Sequence, residues 1–114
     1  MLPDDRARLT HIEEAIVAAM EFTESRSRSE LGTDLMLQFA LVQAVQIVGE
    51  AARNVSAGTM AIAPDIPWPV IVGMRNRLVH AYFDINLDIL WTTVTEALPE
   101  LLPQITRLRE RLEG

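Results

Sequence analysis

The segment "RNRLVHAY", residues 75 to 82, brings together the side chains of this sequence that are best suited to catalysis. It contains Arg75, Asn76, His80 and Tyr82, the only tyrosine of the chain. A histidine can accept a proton from a ribose 2′-hydroxyl or donate one to a leaving oxygen, and an arginine can stabilise the charge of a phosphoryl transition state. This combination favours acid–base chemistry beside an anion. On spacing alone, a structural Arg–His pair is the alternative.

The residue types of this segment disfavour a metal site. The chain has no cysteine, and the segment has neither a histidine pair nor a dense group of carboxylates. We therefore expect no metal or other cofactor, and RNA cleavage at such a site would be metal-independent. The other histidine, His11, stands alone on an amphipathic segment and is expected to be structural or solvated.

On an ideal helix, Arg75 falls within an apolar stripe. The stripe consists of Ile71, Val72, Leu78, Val79 and Tyr82. Because burial of an unpaired guanidinium would cost on the order of several kcal/mol, Arg75 should be paired, bridge a subunit interface or line a polar cleft. Glu50 is the candidate partner.

The same geometry separates the two catalytic candidates. Asn76 and His80 are four residues apart and share a helix face, whereas Arg75 and His80 point about 140° apart. Three arrangements could bring Arg75 and His80 together: the long reach of arginine, a loosening of the helix near residues 81–86, or two copies of the segment meeting across a dimer axis. The last would also shield the arginine.

The hydrophobic pattern predicts helices on both sides of this segment. Apolar residues recur every three or four positions from about Asp4 to Glu24, and a second helix is predicted from about Leu31 to Val55, capped by Ser29 or Thr33. Residues 56–69, with one glycine and three prolines, are predicted to form a loop.

The motif itself is predicted to lie on a third helix, from roughly Pro69 to Ala81. Asp84 or Asn86 is expected to cap one or two closing helices, which should be kinked or broken near Pro99 and Pro103. The chain is thus expected to be all-α, and its length predicts a single domain over residues 1–114.

Charge and composition limit the partners. The net charge is −6, and all ten basic residues are arginine, so an RNA-directed protein of this kind needs a local basic site. The N-terminus has no basic region followed by an apolar segment, and polar residues interrupt every long apolar run. We therefore expect a cytoplasmic protein with no membrane span.

The predicted second helix is apolar around most of its circumference. Its polar residues form one narrow line, Gln43, Gln46, Glu50 and Arg53. Such a helix must be covered on several sides, which a small bundle does only in part. Dimerisation would complete the cover, and a simply central helix is the alternative.

The segment "MRNRLVHAYFDIN" resembles the RX4HXY motif of HepT-type HEPN-domain ribonucleases, with Arg75, His80 and Tyr82 in the three motif positions. Asn76 matches the polar residue that commonly follows the arginine. The stretches "IVGEAARNVS", "PWPVIVGMRN" and "LDILWTTVTEALPELLPQI" are similar to the same family, so the resemblance covers roughly residues 5–110.

The resemblance implies a four- to five-helix up-and-down HEPN bundle that forms a homodimer with a composite cleft. It implies an RNA endonuclease toxin of a type VII-like toxin–antitoxin system, with Arg75 and His80 catalytic and Asn76 supporting. The antitoxin partner would be a minimal nucleotidyltransferase (MNT-domain) protein that transfers AMP to Tyr82. AMP groups add bulk and negative charge where RNA phosphate must bind.

Two other functions fit the same residues. The bundle could be a non-catalytic subunit of a nucleotidyltransferase complex, in which Arg75 and His80 hold a nucleotide phosphate. It could also be a purely structural helical dimer, although an arginine within the apolar stripe fits that interpretation poorly.

Overall fold

The computed structural model describes residues 3–80 and 84–113. Two long helices, α1 (Pro3–Thr23) and α3 (Leu35–Arg53), pack along each other with the short helix α2 (Arg28–Leu31) between them in the chain. They run antiparallel, since Asp5 near the start of α1 contacts Ser56 just beyond the end of α3. The predicted first helix is confirmed, although Phe22, which belongs to its apolar pattern, is exposed.

The predicted second helix begins later than its apolar pattern suggests. Gly32 to Asp34 separate α2 from α3, and the carboxylate of Asp34 accepts a hydrogen bond from the Leu37 amide at 3.0 Å. Ser27 caps α2 in a capping box with Glu30. The expectation that Ser29 or Thr33 provides the cap is therefore wrong. Two separate helices form here, and each is capped by the residue that directly precedes it, Ser27 for α2 and Asp34 for α3.

Part of the predicted loop over residues 56–69 is helical. The side chain of Ser56 accepts a hydrogen bond from the Thr59 amide and caps α4 (Ala57–Ile62), which contains Gly58. The prediction was wrong here because an N-cap hydrogen bond supports a short helix even with a glycine in its first turn. The prolines instead lie between α4 and α5 (Trp68–Val72) or in the first turn of α5.

The predicted third helix is also interrupted. It consists of α5 and α6 (Met74–Leu78), separated by Gly73, and it ends three residues before the predicted Ala81. Val79 then adopts an extended conformation and pairs in an antiparallel bridge with Ile85. This break shapes the candidate site described below.

The closing segment is helical from Leu87 onward, as predicted. The side chain of Asn86 accepts a hydrogen bond from the Ile89 amide at 3.0 Å and caps α7 (Leu87–Thr92). A π-helical turn, Thr93–Ala97, connects α7 to α8 (Leu98–Glu113). The irregular turn ends two residues before Pro99, and α8 continues through Pro103, so only the first of the two expected irregularities breaks the regular helix.

The core lies where α3 meets α1 on one side and the α5–α6 segment on another, and α8 packs against α1. Fully buried side chains come from every long helix: Leu9, Ile12, Ile16, Leu41, Val45, Val48, Leu98 and Ile105. At the surface of the α1–α8 contact, Glu13 accepts hydrogen bonds from Arg109 and Thr106. The bundle is all-α apart from the Val79–Ile85 bridge, within residues 3–80 and 84–113.

By length and composition, α3 alone among the described helices is apolar enough to span a membrane. In the fold it is the central helix, with seven side positions buried against its neighbours. Those positions are Leu37, Leu41, Ala44, Val45, Val48, Gly49 and Ala52. Its central place in the bundle therefore explains part of its hydropathy, while other apolar side chains of the helix, among them Leu35 and Met36, are exposed.

A buried carboxylate joins the start of α1 to the start of α4. Asp5 is 1% exposed and accepts hydrogen bonds from the Ser56 amide at 3.0 Å, the Ser56 hydroxyl at 2.6 Å and the Thr59 hydroxyl at 2.5 Å. Burial by itself raises the pKa of this carboxyl. The hydrogen bonds and the charge of Arg8 together lower the pKa by more than burial raises it, so the pKa lies below its ordinary value.

We expect Asp5→Asn to lower the free energy of unfolding by about 1 to 3 kcal/mol near neutral pH, because buried donors lose a charged acceptor. Since the folded pKa is lowered, the stabilisation is present above the unfolded pKa and is lost as the pH falls below about 4. Urea unfolding of the wild type should show this acid loss, and Asp5→Asn should flatten it. Asp4→Asn, which removes an exposed carboxylate from the same turn, is the control; equal effects of the two variants would contradict the assignment.

Candidate functional site

The break at Gly73 determines how the motif residues are presented. Pro67 and Pro69 support the start of α5, and the short α6 buries Met74 and Leu78 while leaving Arg75 and Asn76 exposed. Most of the described apolar stripe is nevertheless buried, since Ile71, Leu78 and Val79 all belong to the core. Only the arginine expected among them is exposed, and it lies at the surface of the chain.

A polar cleft of about 300 Å³ separates α3 from the α5–α6 segment. Its lining residues are Gln46, Gly49, Glu50, Arg53, Val72, Arg75 and Asn76. Three of the candidate site residues, Glu50, Arg75 and Asn76, thus meet in one place. The polar line predicted along the second helix is confirmed as an exposed face of α3, and three of its four residues, Gln46, Glu50 and Arg53, form one wall of this cleft.

The expected burial of Arg75 is wrong for the single chain, since its side chain is exposed. Within residues 3–80 and 84–113, Arg75 makes no ion pair, and Glu50 lies 3.9 Å from Arg53 instead. Both of those side chains are more than half exposed, so solvent screens their attraction. Arg75 was expected to be paired, to bridge a subunit interface or to line a polar cleft, and in the single chain it lines a polar cleft.

His80 lies beyond the end of α6, and its side chain is exposed. Its backbone N–H donates to the carbonyl oxygen of Asp84 at 3.0 Å, and the Asn86 amide donates to the Leu78 carbonyl at 2.7 Å. The histidine is thus held by extended backbone pairing, and the expected loosening of the helix occurs before it. His80 is outside the described lining of the Arg75 cleft, and Tyr82 lies outside the described residues.

One site contact was missed at the level of sequence. Arg77 donates a hydrogen bond to the carbonyl oxygen of Val70 at 2.6 Å, across the break at Gly73. On a regular helix, side-chain contacts are expected between residues three or four positions apart. A separation of seven residues therefore did not indicate this contact in the sequence. It fastens α6 to α5 and so holds the segment that presents Arg75.

His11 stands on α1 and does not line the Arg75 cleft. It lines a groove of about 600 Å³ between α1 and α3, together with Arg8 and Asn54. Glu50 lines both this groove and the Arg75 cleft. Among the described residues, no group of three or more histidine or carboxylate side chains is arranged to hold a metal ion.

The all-α bundle is compatible with the HEPN fold that the sequence resemblance implies. Residues 12–108 match the family model described as "Ribonuclease HepT-like", and the chain belongs to this family. The match covers most of the region in which the sequence resembles it.

Relatives agree with this assignment. The chain is 37% identical over 102 residues to "Probable ribonuclease HepT" of Thermococcus cleftensis, covering 90% of this chain and 93% of the relative. It is 33% identical over 102 residues to a "Putative RNase" of Methanocaldococcus jannaschii, covering 90% and 94% of the two chains. A "Putative RNase" of Caldanaerobacter subterraneus subsp. tengcongensis is 31% identical over 106 residues, covering 93% and 95%. No solved structure gives a significant match.

We expect Arg77→Ala to lower the thermal unfolding midpoint by a few degrees, because the Val70 carbonyl loses a charged donor. Arg6→Ala, which removes an exposed arginine from α1, should leave the midpoint nearly unchanged. Circular dichroism melting of the two variants measures the difference. An unchanged midpoint in Arg77→Ala would show that this hydrogen bond does not stabilise the α5–α6 junction.

Proposed function

We propose that this chain is a metal-independent endoribonuclease, the toxin of a HEPN/MNT toxin–antitoxin pair that acts in the cytoplasm. The observation that carries the proposal is the placement of Arg75 and Asn76 in a polar cleft, with an exposed His80 at the end of the same segment. Membership of the ribonuclease HepT-like family supports RNA as the substrate class.

The charge of Arg75 is available for a phosphate. Three arginines outside the cleft are engaged with carboxylates: Arg26 with Glu30 and Asp34, Arg28 with Asp88, and Arg109 with Glu13. Within the described residues Arg75 has no such partner, and Arg53 adds a second positive charge to the cleft against the single negative charge of Glu50. The lining of the cleft therefore carries a net positive charge in an acidic chain, which supports the binding of an RNA phosphate there.

In the proposed reaction, His80 takes the proton from a ribose 2′-hydroxyl as its oxygen attacks the adjacent phosphorus. The bond from phosphorus to the 5′-oxygen breaks, and that oxygen receives a proton. The products are a 2′,3′-cyclic phosphate and a 5′-hydroxyl. Arg75 stabilises the charged phosphoryl transition state, and Asn76 orients the phosphate.

We propose that the complete site is formed by two copies of the chain. His80 is outside the lining of its own Arg75 cleft, so a second copy is a reasonable source of the histidine. The outer face of α3 supports this, because Leu35 is 59% exposed, Met36 is 84% exposed and Ile47 is also exposed beside the polar line. A partner over this face would cover exposed apolar surface on the helix that forms one wall of the cleft.

We expect His80→Ala to lower RNA cleavage by about a hundredfold or more, since it removes the proposed acid–base group. Arg75→Ala should reduce cleavage and also weaken RNA binding. The assay is cleavage of RNA in the presence of a chelator, with end-group analysis for the cyclic phosphate. His11→Ala is the matched control, because it removes the only other histidine and should leave cleavage unchanged. Undiminished cleavage by His80→Ala would overturn the proposal.

Neutralisation is proposed to occur at Tyr82, two residues after His80. Its hydroxyl oxygen would attack the α-phosphate of ATP, with loss of the hydroxyl proton and release of pyrophosphate, catalysed by the nucleotidyltransferase partner. The attached AMP adds a phosphodiester charge two residues from His80 in the chain, where it would oppose the binding of RNA phosphate. The resemblance of residues 75–82 to the RX4HXY motif supports this role.

Mass spectrometry should therefore show AMP added to this chain when it is produced with its nucleotidyltransferase neighbour and ATP. Tyr82→Phe should remain unmodified under the same conditions and should keep its ribonuclease activity in the presence of the partner. If AMP is found on another residue, or if Tyr82→Phe is still inhibited by transfer of AMP, the proposed mechanism of neutralisation is wrong.

A second candidate is a nucleotide-binding subunit without nuclease activity. It is favoured by one observation, that Arg75, Asn76 and Arg53 line the cleft of a single chain without His80. This alternative predicts nucleotide binding that Arg75→Ala abolishes, together with no RNA cleavage by the wild type.

A further inference from the structure

Gly49 lies at a close contact between α3 and the segment that carries the motif. It is buried in the C-terminal part of α3 and lines the Arg75 cleft. A Cβ atom at this position would lie 3.3 Å from the carbonyl oxygen of Ile71 and 3.5 Å from that of Val72. The neighbours that limit residue 49 are therefore backbone atoms at the end of α5.

Backbone conformation does not explain a glycine at this position. No glycine among the described residues has a positive φ, and Gly49 is within a regular helix. A glycine in the interior of a helix is less favourable than an alanine. The close approach of the α5 backbone is the feature that this glycine permits.

We propose that Gly49 is a positioning residue for the motif, because it sets the separation between α3 and the α5–α6 segment. The contact at 3.3 Å is tighter than an ordinary van der Waals contact, so a methyl group would require the neighbouring carbonyl to move by a few tenths of an ångström. A carbonyl of the main chain cannot turn aside as a flexible side chain does. Its displacement moves the peptide units that lead through Gly73 to Arg75 and Asn76.

Two walls of the cleft would change together. Glu50 and Gln46 stand on α3, whereas Val72, Arg75 and Asn76 stand on the other wall, and Gly49 lies between them. Gly49 therefore controls the width of the cleft. This role rests on the proposed function for its effect on catalysis, but the displacement of Arg75 can be measured without RNA.

The test compares Gly49→Ala with Gly58→Ala. Gly58 lies in α4, and a Cβ atom there would meet nothing within 4 Å, so this control adds the same methyl group in open space. The first measurement is the ¹H–¹⁵N signal of the Arg75 side-chain Nε–H group, assigned by its loss in Arg75→Lys. The second is the kcat and KM of RNA cleavage, normalised to the folded fraction found by circular dichroism.

We expect the Arg75 signal to move in Gly49→Ala and to stay in place in Gly58→Ala. We also expect kcat/KM to fall by about three- to tenfold in Gly49→Ala alone, since small displacements of catalytic groups have effects of this order. An unmoved Arg75 signal would overturn the proposal, and so would failure of Gly49→Ala to fold, because that would assign Gly49 to general stability. If the Arg75 signal moves in Gly49→Ala but the wild-type protein never cleaves RNA, the positioning role is supported and the nuclease function is rejected.

Discussion

The burial of one side of α3 against α1 and the α5–α6 segment is the contact on which the rest of the structure depends. It leaves the opposite side of the helix with a line of polar residues, and part of this line becomes a wall of the Arg75 cleft. Gly49 brings α5 close to this helix, and the hydrogen bond from Arg77 to Val70 holds α6 next to α5. The position of Arg75 thus results from packing rather than from an ion pair.

The sequence was a good guide where the signal was local. The spacing of Leu9, Ile12 and Ile16 predicts the buried face of α1. Of the two residues expected to cap the closing helix, the structure confirms Asn86. The membership of the HepT-like family also followed from the motif and its surroundings. Such features depend on residues within one or two turns of each other, which a sequence displays directly.

The predictions were wrong where the local structure depends on contacts between residues that are distant in the sequence. Gly58 suggested a loop, whereas Ser56 caps a helix there and is itself held by Asp5, about fifty positions earlier in the chain. Arg75 was expected within a buried stripe, but Ile71 and Leu78 of that stripe are buried whereas Arg75 itself is exposed. The close contact between Gly49 and the carbonyls of Ile71 and Val72 has no sequence signature, because it depends on how two helices pack.

The central claim is that one chain supplies half of a catalytic site, with Arg75 and His80 completing each other across two copies. Cleavage of RNA by a purified heterodimer, assembled from one Arg75→Ala chain and one His80→Ala chain with different tags, tests this claim most directly. We predict that the heterodimer regains a substantial part of the wild-type activity, since one of its two composite sites keeps both residues. A heterodimer as inactive as either variant alone would contradict the account.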